Sequence, residues 1–213
     1  MPKEEEPMKQ LLEKTFSWLG DLIALNLLWL LGCLPVLTTG ASTAAMYAAA
    51  AKLADGKCTS VWRTYWAAFR GNFKKATAAF FLLLLPTAVL AADLWLLMRY
   101  SGQFPVWVKA VTLLAGVVFL LSAGYIYPLQ ARFENTVWRT LVNSCVMALA
   151  HLPVSLAVAA LNLLGPVLAM TAPGLFFRSI PVWLLFGAAL TALLNTLLLR
   201  GVFCKYIPQD RKN

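Results

Sequence analysis

Five long apolar runs constrain this chain more than any other feature: Phe16 to Leu37, Ala76 to Met98, Val106 to Tyr127, Val146 to Thr171 and Pro181 to Phe203. Each has the 20 or so residues that a helix needs to cross roughly 30 Å of hydrocarbon, where every backbone polar group must be paired inside the structure. A sixth run, Val36 to Leu53, consists largely of Ala, Thr and Met and follows a tight turn from Pro35 to Gly40. It spans, re-enters or lies in the interface. Only 13% of the 213 residues are charged and 61% are hydrophobic, against about 25% charged in a soluble domain. A soluble enzyme, a disordered segment and a secreted disulfide scaffold are thereby excluded. The expected fold class is all-α: a polytopic transmembrane helix bundle of six, alternatively five, spans, forming a single integral membrane domain over residues 1–213.

The basic residues orient this bundle. With six spans and an inner N-terminus, Lys3, Lys9, Lys14, Lys52, Lys57, Arg63, Arg70, Lys74, Lys75, Arg132, Arg139, Arg200, Lys205, Arg211 and Lys212 fall on one side. Arg99, Lys109 and Arg178 fall on the other. Lys and Arg accumulate in cytoplasmic loops, so the C-terminus is expected inside, as is the 1–15 tail, although Glu4, Glu5, Glu6 and Glu13 dilute the charge bias there. The net charge of +9 thus reports orientation and anionic lipid of the inner leaflet, and nucleic acid loses its support as a partner.

The largest inner loop, residues 54–75, is patterned. Trp62, Tyr65, Trp66, Phe69 and Phe73 recur at spacings that put five rings on one helical face, with Arg63, Arg70 and Lys74 on its margin. The pattern predicts an amphipathic cytoplasmic interfacial helix, lying flat with its rings in lipid. Docking of a cytoplasmic partner is the alternative. The second inner loop, Arg132 to Asn143, reads as a solvated helical connector.

Catalytic templates find no residues. The single histidine, His151, rules out a two-histidine metal site within the chain, and neither G-x-S-x-G nor a phosphate-binding G-x-x-x-x-G-K-[ST] loop occurs. Cys33, Cys58, Cys145 and Cys204 are scattered without a C-x-x-C pair. No catalytic residue, metal or cofactor is expected. Polar groups within spans are costly, which makes Asp21, Asn26, Asp93, His151, Asn162 and Asn195 candidates. Asp93 has Arg99 or Lys109 as its expected partner, and His151 reads as interfacial ahead of a proton relay. The stripes His151, Ser155, Asn162 and Gly187, Thr191, Asn195 are explained by hydrogen bonds between helices. Pro86 sits within a span, and Pro153 and Pro166 are expected to interrupt the next-to-last helix. Such breaks also point to transporter binding sites.

Leu25-Asn26-Leu27-Leu28-Trp29, Leu34-Pro35-Val36, Thr43-Ala44-Ala45-Met46-Tyr47, Lys52-Leu53, Phe69-Arg70-Gly71-Asn72-Phe73 and Tyr127-Pro128-Leu129-Gln130-Ala131-Arg132-Phe133 together resemble the YesL-like family of bacterial membrane proteins. One departure is Gly40-Ala41-Ser42, where the family usually has Gly-Pro-Ala. The resemblance implies a multi-pass protein of the bacterial cytoplasmic membrane. Because the family's genes commonly lie beside those for oligosaccharide uptake and breakdown, it also implies a non-enzymatic, accessory role in carbohydrate import, with an ABC-type sugar importer as partner. A self-contained transporter or channel acting as a homo-oligomer is the alternative. A cysteine replacing Lys3 tests the span count: with six spans, a membrane-impermeant thiol reagent labels it in inverted vesicles and leaves it unlabelled in whole cells.

Overall fold

A computed structural model describes residues 5–100 and 102–206, with side chains from residue 17 onward. The side chains of the 1–15 tail, with its lysines and glutamates, and the terminal Arg211 and Lys212 lie outside that description. Every regular element described is helical. In order these are α1 (Glu5–Cys33), a 3-10 turn (Val36–Thr38), α2 (Thr39–Ala54), α3 (Val61–Arg99), α4 (Val106–Arg132), α5 (Val137–Ala150), α6 (Leu152–Thr171), α7 (Pro173–Val182), a π-helical turn (Trp183–Gly187) and α8 (Ala188–Phe203). Among the described residues, four helices are long and apolar enough to cross a membrane: α3, α4, α6 and the continuous run Pro173–Phe203. They point to a membrane protein.

The Ala-rich run is the centre of the core rather than a lipid-facing span. At 16 residues α2 is about 24 Å long, short of the hydrocarbon thickness, and every residue from Ala44 to Ala50 is buried. Its small side chains bring neighbouring backbones close, as in membrane bundles generally. Gly40 shows the tolerance: a Cβ there would collide with the Ala76 carbonyl of α3. Leu22, Leu25 and Leu28 of α1, Tyr65 of α3 and Ala189, Ala192 and Leu193 of α8 close around α2. A second cluster joins Leu121, Tyr125 and Leu129 of α4, Met147 and Ala148 of α5, Val158 of α6 and Leu199 and Phe203 of α8.

Three expectations are corrected. The aromatic segment is no separate flat helix: it is the first part of α3, which runs unbroken for 39 residues. Tyr65 is fully buried in the α1–α2 core and Phe69 packs against it, so these rings seat the helix on protein rather than on lipid. The cause is Ser42, whose hydroxyl lies 2.8 Å from that of Tyr65 and rewards its burial. Second, the Arg132–Asn143 segment is not one helical connector: residues 133–136 are a non-helical link and α5 begins at Val137. Trp138, Val142, Val146 and Leu149 form the exposed stripe of α5, while Thr140 and Ser144 face inward. Third, the expected Val146–Thr171 span is interrupted, as Pro153 predicts, but the break falls at His151 and Pro153 stands in the first turn of α6, where a proline loses no helical hydrogen bond. Pro86 and Pro166 do lie within helices.

Each helix break in the core is closed by a side chain. In the α1–α2 corner, the Thr38 hydroxyl donates to Gly32 O at 2.6 Å and Ser42 Oγ donates to Trp29 O at 2.9 Å. Because that uses the only Ser42 hydroxyl proton, Tyr65 is the donor in its bond to Ser42. At the α5–α6 break, Ser155 Oγ donates to Ala148 O at 2.7 Å, a carbonyl that an unbroken helix would pair with the next turn. Tyr125 supports Ser155 at 2.8 Å. In the π-turn, Asn26 of α1 donates Nδ2 to Leu184 O at 2.6 Å and accepts from the Ala189 N–H at 2.9 Å. Asn26→Leu leaves that carbonyl and that N–H without their Asn26 partner in an apolar core, at a cost of about 3 kcal/mol. A lower melting temperature in detergent checks it, with the exposed Leu27→Ala change nearly neutral.

Candidate functional site

The predicted intramembrane polar residues separate into different roles. Asn26 is structural, as its two bonds to the π-turn and one to the start of α8 show. Asn162 and Asn195, one from each polar stripe, meet. Asn195 is fully buried on α8 and donates to Asn162 Oδ1 at 2.8 Å and to the Tyr47 hydroxyl at 3.0 Å. Its own Oδ1 is buried without a hydrogen-bond partner. Asn162 is exposed about halfway along α6, so a polar path of three side chains runs from the surface of α6 to α2. Gly124 lets α6 close on α4 here: a Cβ would come within 2.8 Å of Val158 and 3.5 Å of Asn162.

His151 lies elsewhere. It ends α5 and its Nε2 is 3.3 Å from the Tyr206 hydroxyl beyond α8. Asp21 on α1 and Asp93 on α3 are each half-buried, and no described hydrogen bond joins either to the Asn162–Asn195–Tyr47 group. Among the described residues, no three His, Cys, Asp or Glu side chains are grouped as metal ligands.

The basic and aromatic candidates form two surfaces of one helix. Tyr65 faces the core, whereas Trp62, Arg63, Arg70, Phe73 and Lys74 are exposed and Trp66 is half-buried between. Trp66 is edge-on to Trp62 at 5.8 Å and to Tyr65 at 5.7 Å, so the exposed indole is tied to the buried phenol. Trp62, Arg63, Trp66, Ala67 and Arg70 line an open cleft of about 540 Å³. Ser60 starts the helix by accepting from the Arg63 N–H at 3.5 Å.

One charge cluster was not foreseen. Asp55 meets Arg132 and Arg200 at 3.5 Å each, tying the ends of α2, α4 and α8 together. Arg132 also lies 5.9 Å over the Phe203 ring. Asp55 is placed by a helix stop in which Lys57 N–H bonds Lys52 O and Gly56 takes a positive φ of 65°. The Asp55-Gly56 pair, an acid beside a turn residue in a basic segment, was the available signal.

Residues 22–94 match a family described as "Protein of unknown function, DUF624". The match covers α2, the C-terminal part of α1, most of α3 and the Leu25 to Phe73 motifs quoted above. No curated protein and no solved structure matches the chain.

Asn195→Ala is expected to cost roughly 2 kcal/mol and Asn162→Ala about 1 kcal/mol or less, since one side chain is buried with two partners and the other is exposed. A double-mutant cycle of Asn195→Ala with Tyr47→Phe, read by thermal unfolding in detergent, should show coupling of about 1 kcal/mol.

Proposed function

We propose that this is a non-enzymatic membrane protein that supports solute uptake as an accessory of a carbohydrate importer, bound beside it in the bacterial cytoplasmic membrane. The observation that carries the reading is how little of its longest apolar helices the chain uses. Beyond Ala79, α3 buries no residue, and α4 buries none before Leu121. Leu85 and Val106 are 71% and 81% exposed. Apolar faces of this length suit partner helices as well as lipid, and helices in a bilayer associate through such shape contacts. Between α3, α4 and α5 runs a groove of about 570 Å³ whose lining includes Pro86, Val111, Leu114, Ser122 and Ser144. It offers a partner helix a recess bounded by a proline within one wall. The YesL-like resemblance supplies the expectation that the partner imports oligosaccharides.

A second reading is a self-contained transporter acting as a homo-oligomer. Its support is the exposed Asn162, connected through Asn195 to Tyr47 within the helix bundle. Purification in mild detergent from the native cell separates the two. Importer subunits should co-elute with the wild type and be lost from Leu85→Trp/Leu114→Trp, both of which replace exposed residues. Recovery of this protein alone, with saturable sugar flux in liposomes, overturns the accessory role and favours the second reading.

A further inference from the structure

We propose that the cleft on the first turns of α3 binds the headgroup of an anionic phospholipid from the surrounding bilayer. The cleft lies within two helical turns, and its wall is held in place from behind. Tyr65 is locked in the core, Trp66 rests edge-on against it, and Trp62 rests edge-on against Trp66. At 100° per residue, Arg63, Arg70 and Lys74 fall within a stripe about 40° wide, with the two indoles along one side. Ala67 lies between Arg63 and Arg70 along the helix axis, just beyond the stripe on the side away from the indoles, and lines the same cleft. Its small side chain leaves room between the two guanidinium groups for a phosphate, the anion their forked donors fit best.

Charge complementarity decides the occupant. Arg63, Arg70 and Lys74 are all exposed, and the described ion pairs, Arg132 and Arg200 with Asp55, involve none of them. Covalent continuity then selects the bilayer as the source of the anion. The helix that carries the cations becomes a long apolar run at Ala76, directly after Lys74 and Lys75. Trp66 and Arg70, ten and six residues before that run on the same unbroken helix, pair an amphipathic ring with a cation, a combination that prefers the headgroup layer. The site differs from a flat helix with five rings in lipid: Tyr65 and Phe69 belong to the protein core, and the lipid-binding work falls to two indoles and three cations. It is independent of whether the protein serves an importer.

The test uses the purified full chain in detergent, titrated with phosphatidylglycerol or phosphatidylcholine and read by native mass spectrometry and thermal unfolding. Phosphatidylglycerol should be retained and should raise the melting temperature, and phosphatidylcholine should do neither. In Arg63→Gln/Arg70→Gln, retention should be roughly thirtyfold weaker, each basic residue near an anionic lipid being worth about fivefold. Both arginines are exposed, so the lipid-free melting temperature should stay at the wild-type value, and Arg63→Lys/Arg70→Lys should keep part of the binding. Equal retention of phosphatidylglycerol by wild type and the Gln variant overturns the proposal. So does stabilisation by inorganic phosphate alone, which would make the ligand a soluble anion. Loss of a co-purifying protein from the Gln variant with lipid retention unchanged assigns the face to a protein partner instead, and also overturns it.

Discussion

A helix that breaks in an apolar interior must find partners for the backbone groups it frees, and the core of this protein is organised around that constraint. Three breaks border the core, and a side chain answers each. Ser42 and Thr38 bond the α1 carbonyls at the first corner. Ser155, backed by Tyr125, takes Ala148 O at the α5–α6 break. Asn26 bridges the π-turn with both ends of its amide. Each carboxamide or hydroxyl belongs to a different element from most of the groups it satisfies, so closing a break also fixes one helix against another. Unpaired, such groups would cost more than a typical interhelical hydrogen bond returns.

Small residues make those bonds possible. The Ala-rich α2 admits α1, α3, α4 and α8 closely enough for hydroxyl and amide groups to reach across. The same economy appears at the π-turn, where Trp183 fits against Gly165 and Gly187, a Cβ on the latter colliding with its ring. Ser42 of α2 joins three helices, donating to Trp29 O of α1 and accepting from Tyr65 of α3.

Polar residues in membrane helices are read as functional by default, and the structure divides them by what they touch. Asn26 and Ser155 complete backbone pairing and have their hydrogen-bonding capacity largely used. Asn195 keeps a buried oxygen without a partner and connects to an exposed Asn162, so it retains capacity that the structural residues do not. On α3, the same distinction separates Tyr65, consumed by packing, from Trp62, Arg63 and Arg70, which face outward. Both surfaces are presented by helices whose opposite faces are anchored in the core.

The sequence by itself determined the helical class, the apolar runs and the two polar stripes, because those follow from residue period and the cost of burying polar groups; that Asn162 meets Asn195 was decided by the tertiary structure. It also marked the ring pattern on residues 62–73 correctly. Tertiary structure alone decided which side of that pattern meets protein, since a ring stripe is apolar whether it faces lipid or Ala-rich helix, and only the Ser42 partner distinguishes them. Likewise, Asp55 was one acid among many bases until folding brought Arg132 and Arg200 to it from residues 77 and 145 positions away. The roles of Asn26 and Ser155 depended on breaks at Trp183–Gly187 and His151. Pro153 announced the break at His151 locally, whereas the π-turn becomes tolerable only when a distant side chain is there to pair what it frees.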